Sequence, residues 1–498
     1  FGVDSAKALE FHELTKHSYF SVRTGFHRLD WTNKPHPFKT YLDTPKIPLP
    51  KDIPKPEKPV FASFTPQTGS KMALDMKTLA SILFFTGGIT RAVKYFDGVH
   101  YFRAAPATGA LYPIELYVVA GDVEGLSPGV YHFDPKTFSL NVLRRGDYRS
   151  FLARYSHPSV SESSAAVVFT SIPWRNAWKY RERSYRHWFW DSGVMVANMF
   201  ACCNAFGLKS FFAAGFVDEK VNDLVGVDGV KEAAIIVASI GSSEKTPETV
   251  ETVEPINPAT LPLSRRETRY PAVEEIHKAS SLKSVDELAE WRRAAENPLA
   301  ETATQVSVEG PPLWEVILRR GSTRKFSRTS IGLDAFTSLC RTASVNVPTD
   351  FGSYAAYFII VNAVENTAPG AYRYSGGQLV PLKKGEFRRI SGFLCLEQEL
   401  GEDGSAVFFI MTPLMEILGK MGNRGYRVAQ LDGGIKAGLL YLASYGLGIG
   451  ATGLTFYDDD VTQFFSLGSS GMENVIVVAV GNPAYRARPG GMFLGIDE

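Results

Sequence analysis

At 498 residues the chain has room for roughly two to four domains, each large enough to bury its own core. A formal net charge of +1 creates no overall field that would attract nucleic acid or an anionic membrane, and no apolar run approaches the roughly 18 residues of a membrane span. The four cysteines show neither CxxC spacing nor a disulfide framework, which favours a reducing, cytoplasmic setting. The sequence starts at Phe1 rather than at Met, so it is compatible with a targeting segment upstream.

Residues 1–70 are predicted to form an extended strap. The prolines of this segment, concentrated between Pro45 and Pro59, exclude long helices and favour polyproline-like backbone. His12 and His17 are five residues apart, whereas a helical zinc-protease motif needs histidines at i and i+4. No metal site is predicted.

Residues 71–242 are predicted to form a first α+β domain. Apolar residues recur at helical spacing over residues 74–85, and residues 194–206 form a second apolar helix that ends at a glycine. Continuous apolar runs over Ile114–Ala120 and Ala233–Ile240 indicate buried strands.

Residues 243–305 are predicted to be a linker with one amphipathic helix over Val285–Ala295, and residues 306–498 then repeat the first domain. Three landmarks recur in the same order at offsets of 241, 241 and 240 residues: residues 128–133 at 369–374, 183–186 at 424–427, and 217–221 at 457–461. This repetition indicates a duplication. Two related units in one chain can form the two-fold interface that identical subunits otherwise form.

The stretch from Arg103 to Pro113 reads Arg-Ala-Ala-Pro-Ala-Thr-Gly-Ala-Leu-Tyr-Pro and leads into a strand. Small residues between prolines make a stiff turn whose backbone can approach a flat ligand closely. Arg103 can hold a phosphate in a planar fork; an ordinary strand entry with a salt-bridged arginine is the alternative.

This stretch resembles the R-x-x-P-S-A-G-A-L-Y-P signature of the nitroreductase-like FMN oxidoreductases, specifically the SagB-type dehydrogenases that oxidise azoline rings in modified peptides. The resemblance implies a tandem nitroreductase-like α+β fold, whose two halves form an intramolecular pseudo-dimer with FMN at their interface. It also implies that the flavin ring rests on Pro106, Ala107, Thr108 and Gly109. Ala107-Thr108 stands where Ser-Ala is usual, so the loop hydroxyl has either moved one position or been lost.

Two segments of the second half complete the predicted cofactor site. Arg320, Ser322 and Arg324 alternate, so in an extended segment they face the same way and suit a phosphate; a solvated basic run is the alternative. This segment resembles the R-x-S-x-R-x-F element that grips the FMN phosphate in nitroreductases. The resemblance also identifies Gly450, Ala451, Thr452 and Gly453 as a loop beside the flavin. Although residues 448–453 match GxGxxG, they follow a helix and precede a strand, the reverse of a dinucleotide fingerprint.

The reciprocal site is predicted to be degenerate. Residues 86–91 stand where the first half would carry its own R-x-S-x-R element, and residues 345–352 stand where the second half would carry the signature loop. Asp350 in the latter segment would repel a flavin phosphate. One FMN per chain is therefore predicted.

The segment from Trp178 to Arg186 resembles the W-K-Y-x-x-R-x-Y-R element of SagB-type enzymes, in which the Lys-Tyr pair is implicated in catalysis. Here the pair is Lys179 and Tyr180; a charged helix face is the alternative interpretation. A tyrosine whose pKa is lowered by an adjacent ammonium can accept the proton that accompanies hydride removal. The second half has Lys420 and Met421 at these positions, which points to a single working site.

The sequence thus predicts an FMN-dependent oxidoreductase that transfers hydride between an organic substrate, such as a thiazoline- or oxazoline-containing peptide, and flavin N5. Oxygen or NAD(P)H is the expected electron partner, and neither nucleic acid nor a membrane is expected to bind. The alternatives are an NAD(P)H-dependent reductase of nitroarenes or quinones, and a flavin-binding scaffold without turnover.

Overall fold

The computed structural model describes residues 3–68, 73–297, 309–466 and 468–496. The helices are α1 (Ala6–Thr15), α2 (Tyr19–Thr24), α3 (Met76–Gly87), α4 (Arg149–Tyr155), α5 (Pro173–Tyr180), α6 (Ser184–Ala205), α7 (Asp218–Val225), α8 (Pro271–Ala279), α9 (Val285–Ala295), α10 (Leu313–Arg319), α11 (Leu333–Ala343), α12 (Arg388–Leu394), α13 (Glu399–Asp403), α14 (Leu414–Met421), α15 (Gly425–Gly446) and α16 (Asp458–Phe464). The strands are β1 (Lys46–Pro48), β2 (Leu74–Asp75), β3 (Ile89–Tyr95), β4 (Gly98–Arg103), β5 (Ile114–Ala120), β6 (Val123–Glu124), β7 (Gly129–Asp134), β8 (Ser139–Arg145), β9 (Ala165–Ser171), β10 (Ser210–Ala213), β11 (Ala233–Ile240), β12 (Ala356–Val361), β13 (Gly370–Ser375), β14 (Gln378–Lys384), β15 (Ala406–Thr412), β16 (Gly450–Leu454) and β17 (Glu473–Gly481).

Each half is built on one antiparallel sheet. The first sheet has the strand order β1-β8-β7-β5-β9-β11-β10, and the second has the order β14-β13-β12-β15-β17-β16. The register repeats as well. Val118 lies opposite Tyr131 and Val167, and the residues 241 positions later, Ile359, Tyr372 and Phe408, pair in the same way. The predicted tandem α+β fold is confirmed.

Helices α6 and α15 are 22 residues long and almost entirely buried. They cross at Gly193 and Gly434, which are 241 positions apart in the chain. A β-carbon on Gly193 would lie 2.6 Å from the carbonyl carbon of Gly434, and one on Gly434 would lie 2.8 Å from the carbonyl oxygen of Phe189. The two backbones touch because glycine carries no side chain.

Reciprocal ion pairs join the start of each long helix to the opposite half. The four pairs are Arg183–Asp458 (2.9 Å), Arg186–Asp458 (2.7 Å), Arg424–Asp218 (2.7 Å) and Arg427–Asp218 (2.6 Å). All six side chains are buried. The two sets repeat at offsets of 241 and 240 residues, so the halves form an intramolecular pseudo-dimer.

The structure adds helices α1 and α2 to the strap and helix α8 to the linker, and none of the three is predicted from the sequence. Helix α1 precedes the first proline of the strap and is fixed by contact with the second half: the backbone N of Ala8 donates to Asn423 Oδ1 at 2.9 Å. Tertiary contact, rather than a strong local pattern, therefore specifies this helix. No helix within the described ranges is both long and apolar enough to cross a membrane, and the four cysteines are buried free thiols.

We expect Gly434→Ala to destabilise the protein by about 1–3 kcal/mol, because the added methyl group would press on the backbone of α6. The matched control is Gly419→Ala in α14, where a β-carbon meets nothing within 4 Å. That change should be neutral or stabilise by up to about 1 kcal/mol. Denaturant unfolding of both variants measures the difference, and equal stabilities would contradict the close crossing.

Candidate functional site

The predicted cofactor-binding segments come from both halves, and two of them meet. Arg320 directly follows α10, and its side chain is buried. Its Nε donates to the carbonyl oxygen of Ala104 at 3.1 Å, and its Nη2 donates to that of Arg103 at 2.9 Å. We use the name cross-half site for residues 103–109 of the first half together with residues 320–324 and 450–453 of the second.

A small cavity lies beside the signature loop of this site, and the residues that line it belong to the first half. Its walls include Arg103, Pro106 and Ala107 of the signature loop, together with Asp191 and Met195 of α6. The loop thus borders a cavity between its prolines and the central helix α6.

Arg103 is held more tightly than a phosphate-binding arginine at the rim of a site would be. Its side chain is buried, and its Nη2 donates to the carbonyl oxygen of Pro37 in the strap at 2.9 Å. The rings of Phe38 and Tyr112 lie 5.2 and 5.4 Å from the guanidinium carbon. One terminal nitrogen of Arg103 is thus committed to the strap, and only the remaining donors are left for a ligand.

The loop hydroxyl has moved one position and is engaged within the protein. Thr108 donates to Asp191 Oδ1 through its backbone N at 3.0 Å and through its hydroxyl at 2.8 Å. Gly109 has a left-handed backbone with φ of 62°, and a β-carbon there would collide with the hydroxyl of Tyr180. The loop conformation therefore requires glycine at this position.

Positive charge accumulates where the halves meet. Arg91, at the start of β3, has an Nη2 that is buried without a hydrogen-bond partner, and its Nη1 is 3.8 Å from the β-carbon position of Gly321. None of the described residues forms an ion pair with Arg91 or Arg320. Burial lowers the pKa of Arg320, and the charge of Arg91 lowers it further. Because a buried, unpaired cation is costly, this surplus fits an anionic group such as a phosphate.

The sequence predicts that Arg320, Ser322 and Arg324 face the same way, and the first two of these residues do lie against the same side chain. Arg320 and Ser322 both approach Tyr441 of α15: the guanidinium carbon lies 5.9 Å from the ring centroid, and the two hydroxyl oxygens are 3.1 Å apart. Arg324 is exposed, while its backbone N donates to the Tyr485 hydroxyl at 2.9 Å. The side chain of Arg324 is therefore free to meet a ligand from the solvent side.

Gly450, Ala451, Thr452 and Gly453 belong to strand β16 rather than to the predicted loop. Their backbone pairs with β17, and the carbonyl oxygen of Ala451 also accepts from Thr323 N at 2.9 Å. A β-carbon on Gly450 would collide with the Thr323 side chain. Gly450 thus lets the basic segment approach the sheet edge, an arrangement that the GxGxxG pattern alone does not predict.

Lys179 and Tyr180 end helix α5 beside the loop. Lys179 Nζ lies over the Tyr180 ring, 5.3 Å from its centroid, rather than next to its hydroxyl. Burial, with Asp191 nearby, raises the pKa of Tyr180 to about 12. The prediction that an ammonium lowers the pKa of this tyrosine is therefore wrong. Partial burial and the neighbouring Lys34 lower the pKa of Lys179 instead.

The pseudo-symmetric counterpart of the cross-half site is closed. Asp350 accepts from the backbone N of Ala214 and of Gly215, both at 2.8 Å, so the two segments that would enclose a ligand bind each other. Trp291 of the linker helix α9 is 1% exposed, and its ring packs where a β-carbon of Gly215 would lie. We use the name closed site for residues 211–215, residues 345–352 and Trp291.

The interpretation of residues 86–91 as a counterpart of the Arg320–Arg324 element is wrong. The Arg320–Arg324 element precedes helix α11, whereas residues 86–91 end helix α3 and begin β3. Thr86 and Gly87 line the cavity of the cross-half site itself. The error arises because a glycine pair and an arginine resemble a ligand-binding turn, whereas here they mark a helix end.

Two residues of these two sites, Asp191 and Trp291, are not predicted from the sequence, and Arg91 is included there only as the end of residues 86–91. Asp191 could have been found from the repeat, because a second aspartate, Asp432, stands 241 positions later in an equally apolar helix. Trp291 lies on the apolar face of the predicted linker helix, but nothing in the sequence indicates what that face covers.

The Nitroreductase family profile matches residues 71–242 and 317–482, together more than half of the chain. The chain belongs to the nitroreductase family. Its fold is similar to the crystal structure of a candidate nitroreductase from Anabaena variabilis, with a TM-score of 0.76 and 25% identity over 96% of this chain and 100% of that one.

Two relatives of this chain are peptide-processing proteins. Trifolitoxin-processing protein TfxB of Rhizobium leguminosarum bv. trifolii is 29% identical over 33% of this chain and 46% of its own length. Microcin B17-processing protein McbC of Escherichia coli is 29% identical over 28% of this chain and 54% of its own length. The chain thus matches about half the length of each of these proteins.

Proposed function

We propose that this family member is an FMN-dependent oxidoreductase that transfers hydride between an organic substrate and flavin N5 at the cross-half site. The observation that carries the proposal is the contact of Arg320 with the carbonyl oxygens of Arg103 and Ala104, which joins the basic segment of one half to the signature loop of the other. Bound FMN supplies the hydride acceptor and the store for two electrons.

The residues of the cross-half site divide into two groups by chemistry. The phosphate would be held by Arg320, Ser322, Arg324 and Arg91. These residues bring positive charge and a hydroxyl to a place where none of the described residues forms an ion pair with Arg91 or Arg320. The signature loop, Pro106 to Gly109, would support the ring, and its stiffness comes from the left-handed Gly109 and from the bonds of Thr108 to Asp191.

One FMN per chain is supported by the closed site. There the groups that would bind a ligand are satisfied by Asp350, and Trp291 fills the adjacent space. A cofactor would have to break two charge-assisted hydrogen bonds and displace a buried indole, each at a cost of about 1–3 kcal/mol or more.

Within this proposal Lys179 accepts a proton and Tyr180 retains one. Oxidation of an azoline ring removes a hydride from one atom and a proton from a neighbouring atom, and a base near neutral pKa serves the second step best. The lowered pKa of Lys179 brings its amine toward that range, whereas the raised pKa of Tyr180 keeps its hydroxyl a hydrogen-bond donor.

For the substrate we propose a thiazoline- or oxazoline-containing peptide. The processing relatives TfxB and McbC and the presence of the Lys179–Tyr180 pair in only one half support this choice. The second candidate, NAD(P)H-dependent reduction of a nitroarene or a quinone, is favoured by the family itself. A flavin-binding scaffold is the third, favoured by the closed site and the altered loop.

These three functions give different results in one anaerobic experiment on the FMN-loaded protein. Bleaching of the flavin by an azoline peptide, with no response to NADH or NADPH, is the result we expect. Rapid bleaching by NADH or NADPH would instead establish the reductase. A protein that takes up FMN and is bleached by none of these would be the scaffold.

Arg324→Ala should weaken FMN binding about 10- to 100-fold, the equivalent of a lost charge-assisted phosphate contact of about 1.5–3 kcal/mol. Thermal stability should stay unchanged because Arg324 is exposed. The matched control is Arg319→Ala, an exposed arginine that pairs with Glu315 and should leave affinity unchanged. Flavin titration measures both, and equal affinities of the two variants would remove Arg324 from the site.

Lys179→Met and Tyr180→Phe should each lower turnover by about 10²-fold while FMN stays bound. Because Lys179 must be neutral to accept a proton, turnover of the unsubstituted protein should rise with pH through the lowered pKa of Lys179, and this rise should vanish in Lys179→Met. Lys420→Met, at the equivalent position of the second half, is the control. Unchanged turnover in both test variants would remove the pair from the reaction.

A further inference from the structure

The two long helices carry equivalent aspartates that hold the loop of their own half. Asp191 accepts from Thr108 twice, at 3.0 and 2.8 Å. Asp432, 241 positions later, accepts from the backbone N of Tyr354 at 2.7 Å and from the Ser353 hydroxyl at 3.2 Å. Both aspartates therefore hold the loop of their own half. A difference between the two aspartates is not explained by that shared role.

The two aspartates differ in the residue that follows each of them by one helical turn. Asp432 is followed by Lys436, whose charge favours the carboxylate and opposes the rise in pKa that burial causes. The equivalent of Lys436 in α6 is Met195. Residues four apart share a helix face, so the substitution removes the cation from beside Asp191. The aspartate that keeps its cation belongs to the closed site, and the one without a cation lines the cavity of the cross-half site.

The other titratable groups around Asp191 keep one charge state near neutral pH. Burial raises the pKa of Tyr180 on α5 and of Tyr112 on the signature loop, so both stay protonated. Burial, together with the charges of Arg183 and Arg186, lowers the pKa of His187 far below its usual range, so this ring stays neutral. Arg103, on another wall of the cavity, stays charged.

Among the described residues that line this cavity, Asp191 is therefore the one that can change charge. It is 3% exposed, and burial raises its pKa to about 7 against the opposing hydrogen bonds of Thr108 and Asn176. Asn176 Nδ2 lies 3.5 Å from Asp191 Oδ2, and Asn176 Oδ1 is buried without a partner. A turn of this amide would offer that oxygen as an acceptor for a proton on Asp191.

We propose that Asp191 is a proton-exchanging group of the cross-half site, which binds a proton when negative charge enters the cavity and releases it when that charge leaves. The inference rests on the proposed function, in which hydride brings two electrons and one proton to the cofactor. The proton lost by the oxidised substrate goes to Lys179, and Asp191 binds a separate proton from solvent on a carboxylate oxygen, which offsets the negative charge of the reduced cofactor. When the electrons pass on to oxygen, a nicotinamide or another organic acceptor, Asp191 gives up this proton to the acceptor or to solvent, so protons and electrons balance.

The test is an anaerobic redox titration of the FMN-loaded protein over a range of pH around 7. The potential of the unsubstituted protein should show the uptake of one more proton per two electrons than that of Asp191→Asn. Asp432→Asn, the matched control, should behave as the unsubstituted protein does. Equal pH dependence in all three proteins, or the same loss in both variants, would overturn the proposal.

Infrared spectroscopy of the cofactor-free protein separates this proposal from the proposed function. The unsubstituted protein should show a protonated carboxyl band that disappears as pH rises through about 7, and the band should be missing from Asp191→Asn. Met195→Lys, which restores the cation of the other half, should move the titration to lower pH. No such band in the unsubstituted protein would overturn the inference even if FMN binds. A band without FMN binding would leave Asp191 as an exchanging carboxyl and reject the proposed function.

Discussion

The crossing of α6 and α15 is the constraint on which the rest of this structure depends. Two glycines at equivalent positions let the helix backbones touch, and four buried ion pairs fix the docking of the halves around that point. Buried ion pairs add little net stability because desolvation offsets their attraction. Any other docking of the halves would, however, leave a buried charge unpaired at a cost of about 3–5 kcal/mol. The pairs thus favour a single arrangement, and that arrangement brings Arg320 to the signature loop.

Duplication within one chain allows the two sites of a symmetric dimer to diverge. In a homodimer each substitution appears at both interface sites, whereas here one site can close while the other keeps its cavity. Asp350 and Trp291 occupy the closed site, and Lys436 balances Asp432 there. The cross-half site has kept the signature loop, together with Arg91 and Arg320, which form no ion pair with any described residue. Its aspartate, Asp191, is followed one helical turn later by Met195 rather than by a lysine. The closed site then acts as part of the scaffold.

The sequence predicts the fold well because its signals are local or repeated. The offsets of the repeat predict the pseudo-dimer, the apolar runs predict β5 and β11, and the amphipathic pattern of the linker predicts α9 with the bounds that the structure has. The site is predicted less well. Three features of the site depend on contacts between residues far apart in the chain. They are the burial of Arg103 behind the strap, the strand at Gly450 to Gly453 and the raised pKa of Tyr180.

A crystal structure of the protein grown with FMN would show whether the cofactor binds between the halves. We expect one flavin per chain, with its phosphate at Arg320 and Ser322 and its ring on the loop from Pro106 to Gly109. We also expect that Trp291 remains packed on Gly215, with no flavin beside it. A flavin bound beside Trp291, or one held entirely within a single half, would contradict the account.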